Sequence, residues 1–297
     1  MLSKIEFFET KTGRLGSALE RESLLPPLHQ HLQLLGHDAI VTPALGGTLG
    51  VCFDINISGE PRFLKTHIAG TKARAGLVKE ADVLLRLYGN AIVLDRFDIS
   101  LTDGTTRHCL LMPKLAPLPA PIKPEAAATM AREWVERFGD DRPQTFVSFE
   151  PYLTCAARAL TTLSEQGLLD TGSAAQVRRL IARLEDRLTR LPRALSHGDF
   201  GPKNILLRGA EALAIDWEDA FWGIAGYDYL YWLTFMENRP FLQSSAFGRT
   251  ELGPDAERAI LALVVLLKSY LAVCSGAYAN QAVSVQARIA EILELPN

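Results

Sequence analysis

The chain has 297 residues, of which 48% are hydrophobic and 22% are charged, and its formal net charge is −3. This length and composition are typical of an ordinary globular protein with a large core, rather than of a disordered or fibrous one. The slight negative charge argues against a nucleic-acid-binding protein, which usually carries a basic patch.

No apolar stretch typical of a signal peptide stands at the start of the sequence. The most apolar run, 259–274, is short and contains Lys268, so we interpret it as a buried core helix rather than a membrane span. The four cysteines form no C-x-x-C pair, which favours free thiols in a reducing compartment. We therefore expect a cytoplasmic protein without a membrane partner.

The first third of the chain reads mostly as sheet. Alternating apolar residues around the turn residues "SGEP" predict a β-hairpin over 51–68. Apolar residues at helical spacing predict a helix over 71–89 that ends at a glycine. Two further strands are predicted over 91–100 and 107–115.

The character of the sequence changes at a proline-rich stretch. Five prolines fall within 113–124, which indicates a stiff, extended connector. The chain beyond them reads as mostly helical. We therefore predict two domains, over 1–115 and 116–297.

Three segments of the second domain have helical patterns. Residues 173–192 carry one apolar stripe with arginines opposite, and Ser173 is a candidate N-cap. Residues 228–236 and 254–279 also read as helices.

One segment of this domain reads instead as a small hairpin, with two short apolar runs around Gly209. Asp199 and Asn204 precede its first strand, and Asp216 follows its second. Adjacent strands lie about 5 Å apart, so the hairpin should bring Asn204 and Asp216 together. An amide oxygen beside a carboxylate suits Mg²⁺, and Asp199 is left free to act as a base.

Residues of the first domain suit phosphate groups. Gly46, Gly47 and Gly50 stand just before a strand, where glycines allow backbone N–H groups to approach phosphate oxygens. Lys65 on the return strand and Glu80 on the next helix can form a buried ion pair that aims the ammonium at phosphates. The alternative is an exposed strand lysine and a solvated helix glutamate.

Taken together, these features form an ordered set: a glycine turn, a strand lysine, a helix glutamate, "HGDFGPKN" and "AIDW". The set resembles the aminoglycoside phosphotransferase and choline kinase superfamily, whose fold is kinase-like. The stretch from 195 to 232 is most similar to the hygromycin phosphotransferase type. The resemblance covers roughly 45–235.

The resemblance implies an α+β, bilobal protein-kinase-like fold with a small β-rich N-lobe and a larger helical C-lobe. It implies ATP and Mg²⁺ as cofactors. Asp199 then corresponds to the catalytic base, Asn204 and Asp216 to the metal ligands, and Lys65 and Glu80 to the phosphate-orienting ion pair. His197 and Asp228 correspond to residues that support the catalytic loop. The remaining positions implied to bind the nucleotide are Gly46, Gly47, Thr48, Gly50, Met112 and Leu115.

The implied partner is a small molecule with a hydroxyl group. The segment from Trp217 to Glu257 favours a cationic, aminoglycoside-like acceptor, because only Arg239 and Arg249 oppose its acids. Glu218 and Asp219 are the candidate substrate residues. A choline-like alcohol, a sugar, a nucleoside and an ordinary acidic surface stay open as alternatives. The acids of the segment are Glu218, Asp219, Asp228, Glu237, Glu251, Asp255 and Glu257.

Two rival functions are less favoured. A pseudokinase scaffold often lacks the lysine, the base or the metal aspartate, and this sequence has all three. A protein kinase would carry an A-P-E segment after "AIDW", and none is present.

Overall fold

The computed structural model describes residues 1–9, 16–36, 38–44, 49–140 and 142–296, without the side chains of 16–19. The chain separates into two compact units. We name them the N-unit, which comprises Thr10–Leu118 and Leu206–Glu218, and the C-unit, which comprises Met1–Glu9, Pro119–Ile205 and Asp219–Asn297. These units differ from the predicted division at residue 115. The segment Leu206–Glu218 packs with the sheet-rich part of the chain, and the first nine residues pack with the helical part.

The helices are α1 (Leu2–Glu9), α2 (Gly16–Leu34), α3 (Thr71–Tyr88), α4 (Pro124–Phe138), α5 (Glu150–Glu165), α6 (Thr171–Arg187), α7 (Tyr227–Leu233), α8 (Leu242–Ser245), α9 (Pro254–Cys274) and α10 (Val285–Leu293). The strands are β1 (Ala39–Ala44), β2 (Gly50–Ile57), β3 (Glu60–His67), β4 (Asp95–Ser100), β5 (Thr106–Pro113), β6 (Ala116–Pro117), β7 (Arg193–Ser196), β8 (Ile205–Arg208), β9 (Glu211–Ala214) and β10 (Phe221–Ile224).

The N-unit is built on a five-stranded antiparallel sheet in the order β1-β2-β3-β5-β4. The predicted hairpin is confirmed as β2 and β3, with Val51 opposite Thr66. Ser58 and Gly59 have φ values of 53° and 90° at its turn, where a short polar residue and a glycine tolerate the left-handed region.

The predicted helix of the first domain is confirmed as α3, which buries Leu77, Ala81 and Leu84. The strand predicted over 91–100 begins only at Asp95, because Gly89–Ala91 forms a 3₁₀ turn after the helix.

The first fifty residues hold α1, α2 and β1, which the sequence did not predict. Two adjacent prolines, Pro26 and Pro27, lie inside α2. Proline ordinarily interrupts a helical pattern, so this helix is hard to recognise from sequence.

The core of the C-unit forms around α9, which packs against α1, α5, α6, α7 and α10. Most of its side chains are buried, and this confirms the prediction of a core helix. Among the described residues, no helix is both long enough and apolar enough to cross a bilayer. The four cysteines are free thiols, as predicted.

The N-terminus of α6 corrects one sequence prediction. The N-cap is Asp170, whose carboxylate accepts a hydrogen bond from the Ser173 backbone N–H at 2.7 Å. Ser173 therefore occupies the N3 position rather than the cap.

Two small sheets position the polar loops of the chain. In the C-unit, β7 pairs antiparallel with β10. In the other sheet, the order β6-β8-β9 confirms the predicted hairpin, and Gly209 takes a φ of 61° at its turn.

Candidate active site

The loop after β7 turns sharply at Gly198, which has a φ of 78°. A Cβ atom at this position would lie 2.4 Å from the Asp219 carbonyl oxygen. Both the left-handed backbone and the close approach therefore require glycine. This is the physical reason for glycine in the "HGD" motif, and it places Asp199 directly after the turn.

A buried carboxylate holds this loop in place. Asp228 on α7 is 4% exposed, and its two oxygens accept hydrogen bonds from the backbone N–H groups of His197, at 2.8 Å, and Gly198, at 3.1 Å. Burial raises the pKa of Asp228 to about 7, although the two backbone donors lower it in part. Asp228 therefore steadies the loop from the following helix, in the position expected of a supporting residue.

His197 lies at the base of the same loop and is fully buried. Its Nδ1 accepts a hydrogen bond from the Asp199 backbone N–H at 3.3 Å. Its ring lies near Trp134 and Phe200, with centroid distances of 6.1 and 6.0 Å. These contacts brace the loop from beneath the carboxylate of Asp199.

The Asp199 side chain is 22% exposed and has a different partner on each oxygen. Tyr231 donates to Oδ1 at 2.7 Å, and Lys4 of α1 donates to Oδ2 at 2.7 Å. The Lys4 ammonium also lies 3.2 Å from the carboxylate of Asp219, which accepts a hydrogen bond from the Ser3 hydroxyl. Sequence reasoning missed Lys4, because α1 carries no pattern that predicts it, and it missed Tyr231, because nothing in the sequence indicates the direction of its hydroxyl.

Asn204 ends a 3₁₀ turn over Pro202–Asn204 and is half-buried. Its Nδ2 donates to the Asp199 backbone carbonyl at 2.8 Å. The amide nitrogen is therefore committed to the loop, and Oδ1 is the atom that can meet a ligand.

In the N-unit, Lys65 and Glu80 form the ion pair that the sequence suggested, with 2.6 Å between Nζ and Oε2. The lysine ammonium also pairs with Asp216 and lies 3.3 Å from Oε2 of Glu218. Burial alone would lower the pKa of Lys65, but these three carboxylates raise it well above its ordinary value. Burial raises the pKa of Glu80. One ammonium thus faces three carboxylates.

Carboxylate oxygens of Glu80, Asp216 and Glu218 lie within 4.8 Å of one another, a set of hard ligands that suits a divalent cation. Asp216 has a φ of 69°, a left-handed conformation that is uncommon outside glycine. A strained carboxylate at the end of a hairpin is typical of a residue held for function.

The other predicted nucleotide positions fall into three groups. Gly46, Gly47 and Thr48 lie outside the described residues. Gly50 begins β2, and a Cβ there would lie 3.0 Å from Cε of Lys65, so this glycine leaves room for the lysine stem. Met112 is buried in β5, whereas Leu115 lies beyond the end of that strand.

The acidic segment from Trp217 to Glu257 is not one surface. Glu218 belongs with Lys65, and Asp228 holds the loop at His197 and Gly198. Glu257 is fully buried and accepts a hydrogen bond from Thr250. Asp219 is the acid of this segment that, with Asp199, contacts the Lys4 ammonium.

The chain matches a known protein family and several solved structures. A family model described as "Phosphotransferase enzyme family" matches residues 23–262. The chain is similar in fold to the crystal structure of aminoglycoside phosphotransferase APH(4)-Ia, with a TM-score of 0.60 and 15% sequence identity over 92% of this chain and 99% of that chain. No protein of curated function matches the sequence.

Two further solved structures are similar. One is spectinomycin phosphotransferase, APH(9)-Ia, in complex with ADP and spectinomycin, with a TM-score of 0.56 and 12% identity over 90% of this chain and 98% of that chain. The other is the microcompartment-associated aminopropanol kinase, with a TM-score of 0.56 and 17% identity over 90% of this chain and 94% of that chain. At these identities the likeness is one of fold, and it confirms the predicted α+β class.

Proposed function

Because the chain belongs to the phosphotransferase enzyme family and is a small-molecule phosphotransferase, we propose that it moves the γ-phosphoryl group of ATP to a hydroxyl group of an amino-bearing acceptor. The structural neighbours include complexes with ADP and AMP-PNP, and this likeness supports ATP as the donor. The narrower likeness to hygromycin phosphotransferases stays a prediction from sequence motifs.

The observation that carries the proposal is the setting of Asp199. Its loop is fixed by Gly198 and by the carboxylate of Asp228, while its own carboxylate stays partly exposed. A partly exposed carboxylate on a rigid loop is suited to orient a hydroxyl group and accept its proton. Among the described residues, the buried acids Glu257 and Asp228 are committed to internal contacts.

In the proposed step, the acceptor oxygen forms a bond to the γ-phosphorus, and the bond from that phosphorus to the bridging oxygen of ADP breaks. The acceptor proton passes to Asp199, and ADP leaves. Such transfers proceed through a loose transition state, so catalysis consists mostly of positioning and of stabilising charge.

Lys65 is the proposed phosphate-binding cation. Its ammonium is held by Glu80 within the N-unit, which fixes the direction of the side chain. Carboxylate oxygens of Glu80, Asp216 and Glu218 lie within 4.8 Å of one another, an arrangement that suits a divalent cation beside the lysine. We propose Asp216 and Asn204 as Mg²⁺ ligands, since carboxylate and amide oxygens are the hard donors that Mg²⁺ prefers. When bound, Mg²⁺ would neutralise charge on the β- and γ-phosphates.

An amino-bearing acceptor is supported by the contacts of Lys4. Its ammonium lies 2.7 Å from Asp199 and 3.2 Å from Asp219, so this pair of carboxylates accepts a primary ammonium group. Asp219 is 5% exposed and also pairs with the Met1 amino group, so the amino group of an acceptor would take the place of the Lys4 ammonium at this pair. A choline-like alcohol, a sugar and a nucleoside are the alternative acceptors, and a pseudokinase scaffold is the alternative without catalysis.

The test is an acceptor screen by coupled ADP release with Mg-ATP, over aminoglycosides, small amino alcohols, choline-like alcohols, sugars and nucleosides. We expect turnover with an amino-bearing member. Turnover only with neutral sugars or nucleosides would overturn the acceptor class. Release of no ADP above background with any of them would favour the scaffold.

A pair of variants sharpens the acceptor assignment. Asp219→Asn should raise KM for the amino-bearing acceptor at least tenfold and leave KM for ATP within twofold. The matched control is Asp255→Asn, which removes an exposed acid of the same segment and should change neither constant. Equal KM values for Asp219→Asn and wild type would remove Asp219 from the acceptor site.

A further inference from the structure

Tyr231 makes a contact that the proposed function does not use. It lies on α7 and is only 3% exposed, and its hydroxyl donates to Oδ1 of Asp199 at 2.7 Å. The other oxygen, Oδ2, is the one that Lys4 contacts. The two oxygens of the proposed base are therefore distinguished by their partners.

The hydroxyl of Tyr231 is suited to be a permanent donor. Burial, followed by the nearby charge of Asp199, raises the pKa of Tyr231 well above its ordinary value, so the phenol stays protonated. The ring also contacts Lys268 of α9, whose Nζ lies 3.8 Å from the ring centroid. Burial lowers the pKa of Lys268 well below its ordinary value, so this contact holds the ring by packing rather than by a full charge.

Lys268 is itself held in place. Its Nζ lies 3.3 Å from the centroid of Phe235 and donates to the Thr234 hydroxyl at 2.8 Å. The Phe235 ring in turn lies where a side chain on Gly201 would be, since a Cβ there would be 2.4 Å from the ring. The tyrosine, the lysine and the phenylalanine thus form one packed layer beneath the catalytic loop.

We propose that Tyr231 is a positioning residue for the base: its hydroxyl holds Oδ1 of Asp199 and so sets the orientation of the carboxylate that receives the acceptor proton. This role rests on the proposed function, because it assumes that Asp199 receives the acceptor proton. Without the tyrosine hydroxyl, the Asp199 carboxylate is less restrained about its last side-chain bond. It then spends a smaller fraction of time in the orientation that suits proton transfer.

Kinetics test the role with a matched pair of variants. Tyr231→Phe removes only the hydroxyl and should lower kcat about 10- to 100-fold, less than the roughly 10²- to 10⁴-fold expected for loss of the base itself, while KM for ATP stays within twofold. Tyr229→Phe is the control. Tyr229 lies on the same helix and is 1% exposed, but its hydroxyl donates to the Ser245 carbonyl at 2.5 Å. The kcat of Tyr229→Phe should stay within twofold of wild type. Equal kcat values for Tyr231→Phe and Tyr229→Phe would overturn the proposal.

A thermal denaturation cycle tests the contact without any acceptor. Tyr231→Phe should lower Tm by about 2 to 4 °C, and it should lower Tm much less when Asp199→Ala is already present, because the two side chains are coupled. Additive shifts would overturn the proposal. If the cycle shows coupling but no acceptor is phosphorylated by wild type, the proposed function fails while the Tyr231–Asp199 contact stands.

Discussion

The catalytic loop of the C-unit and the lysine cluster of the N-unit are held by different forces. The loop is fixed by a glycine turn and by hydrogen bonds to backbone N–H groups from the Asp228 carboxylate. The cluster is held by charge, with one ammonium of Lys65 among three carboxylates. The loop therefore has its geometry before a ligand arrives, whereas the cluster brings together three carboxylates whose oxygens suit a metal ion.

The first prediction tests whether charge holds the cluster together. Lys65→Met leaves Glu80 and Glu218 buried without their cation, and removal of one partner from a buried ion pair costs about 3–5 kcal/mol. We expect urea denaturation to show a loss of this size. The control is Lys114→Met, which removes an exposed lysine just after β5 that pairs with Asp54 and should cost about 1 kcal/mol or less. Similar losses for both variants would contradict a charge-held cluster.

The second prediction concerns the carboxylate proposed to carry the metal. Asp216→Ala should reduce turnover by about 10²- to 10³-fold, because charge on the transferring phosphates is no longer balanced. Coupled ADP release measures this. Glu211→Ala removes an exposed carboxylate of the same hairpin and should leave turnover unchanged. Near-normal turnover of Asp216→Ala at low Mg²⁺ would remove Asp216 from the metal site.

The third prediction addresses the steric part of the loop. Gly198→Ala combines a left-handed φ with a Cβ placed 2.4 Å from the Asp219 carbonyl oxygen. It should lose more stability than Gly209→Ala, which has a left-handed φ but no atom within 4 Å of the added Cβ. Left-handed strain alone costs about 1–3 kcal/mol. Thermal denaturation of both variants is the measurement, and equal losses would show that the close approach has no cost.

The fourth prediction is a pH dependence of stability. The pKa of Asp228 is raised to about 7, so the folded protein binds its proton more tightly than the unfolded chain does. This contribution to stability is present below the ordinary aspartate pKa near 4 and is lost as pH rises towards 7. The urea midpoint of wild type relative to Asp228→Asn should therefore fall between pH 5 and 7.5. A difference that is constant with pH would mean that Asp228 is ionised throughout.

Local patterns in the sequence predicted the hairpins, α3 and the core helix α9, because strong alternation or helical spacing marks these elements. The order of motifs predicted that Lys65 and Glu80 form a pair. An ordered set of motifs can predict a contact between residues that are distant in sequence, because those residues act on the same ligand.

The features that the sequence did not reveal depend on contacts between distant segments. Lys4 meets Asp199 only because α1 packs into the C-unit, 195 residues away in sequence. In the sequence, Tyr231 cannot be distinguished from its aromatic neighbours on α7, because the direction of its hydroxyl depends on the fold. The predicted N-cap of α6, Ser173, lies three residues after the observed cap, Asp170. Aspartate and serine are both common caps, so local sequence alone does not distinguish them.

The central claim is that Asp199 acts in the transfer step and not in nucleotide binding. The most direct measurement is the calorimetric Kd for Mg-ATP beside kcat for Asp199→Asn, which keeps the shape of the side chain but cannot accept the proton. We predict a Kd within twofold of wild type and a kcat about 10²- to 10⁴-fold lower. A fully active Asp199→Asn enzyme would contradict the account.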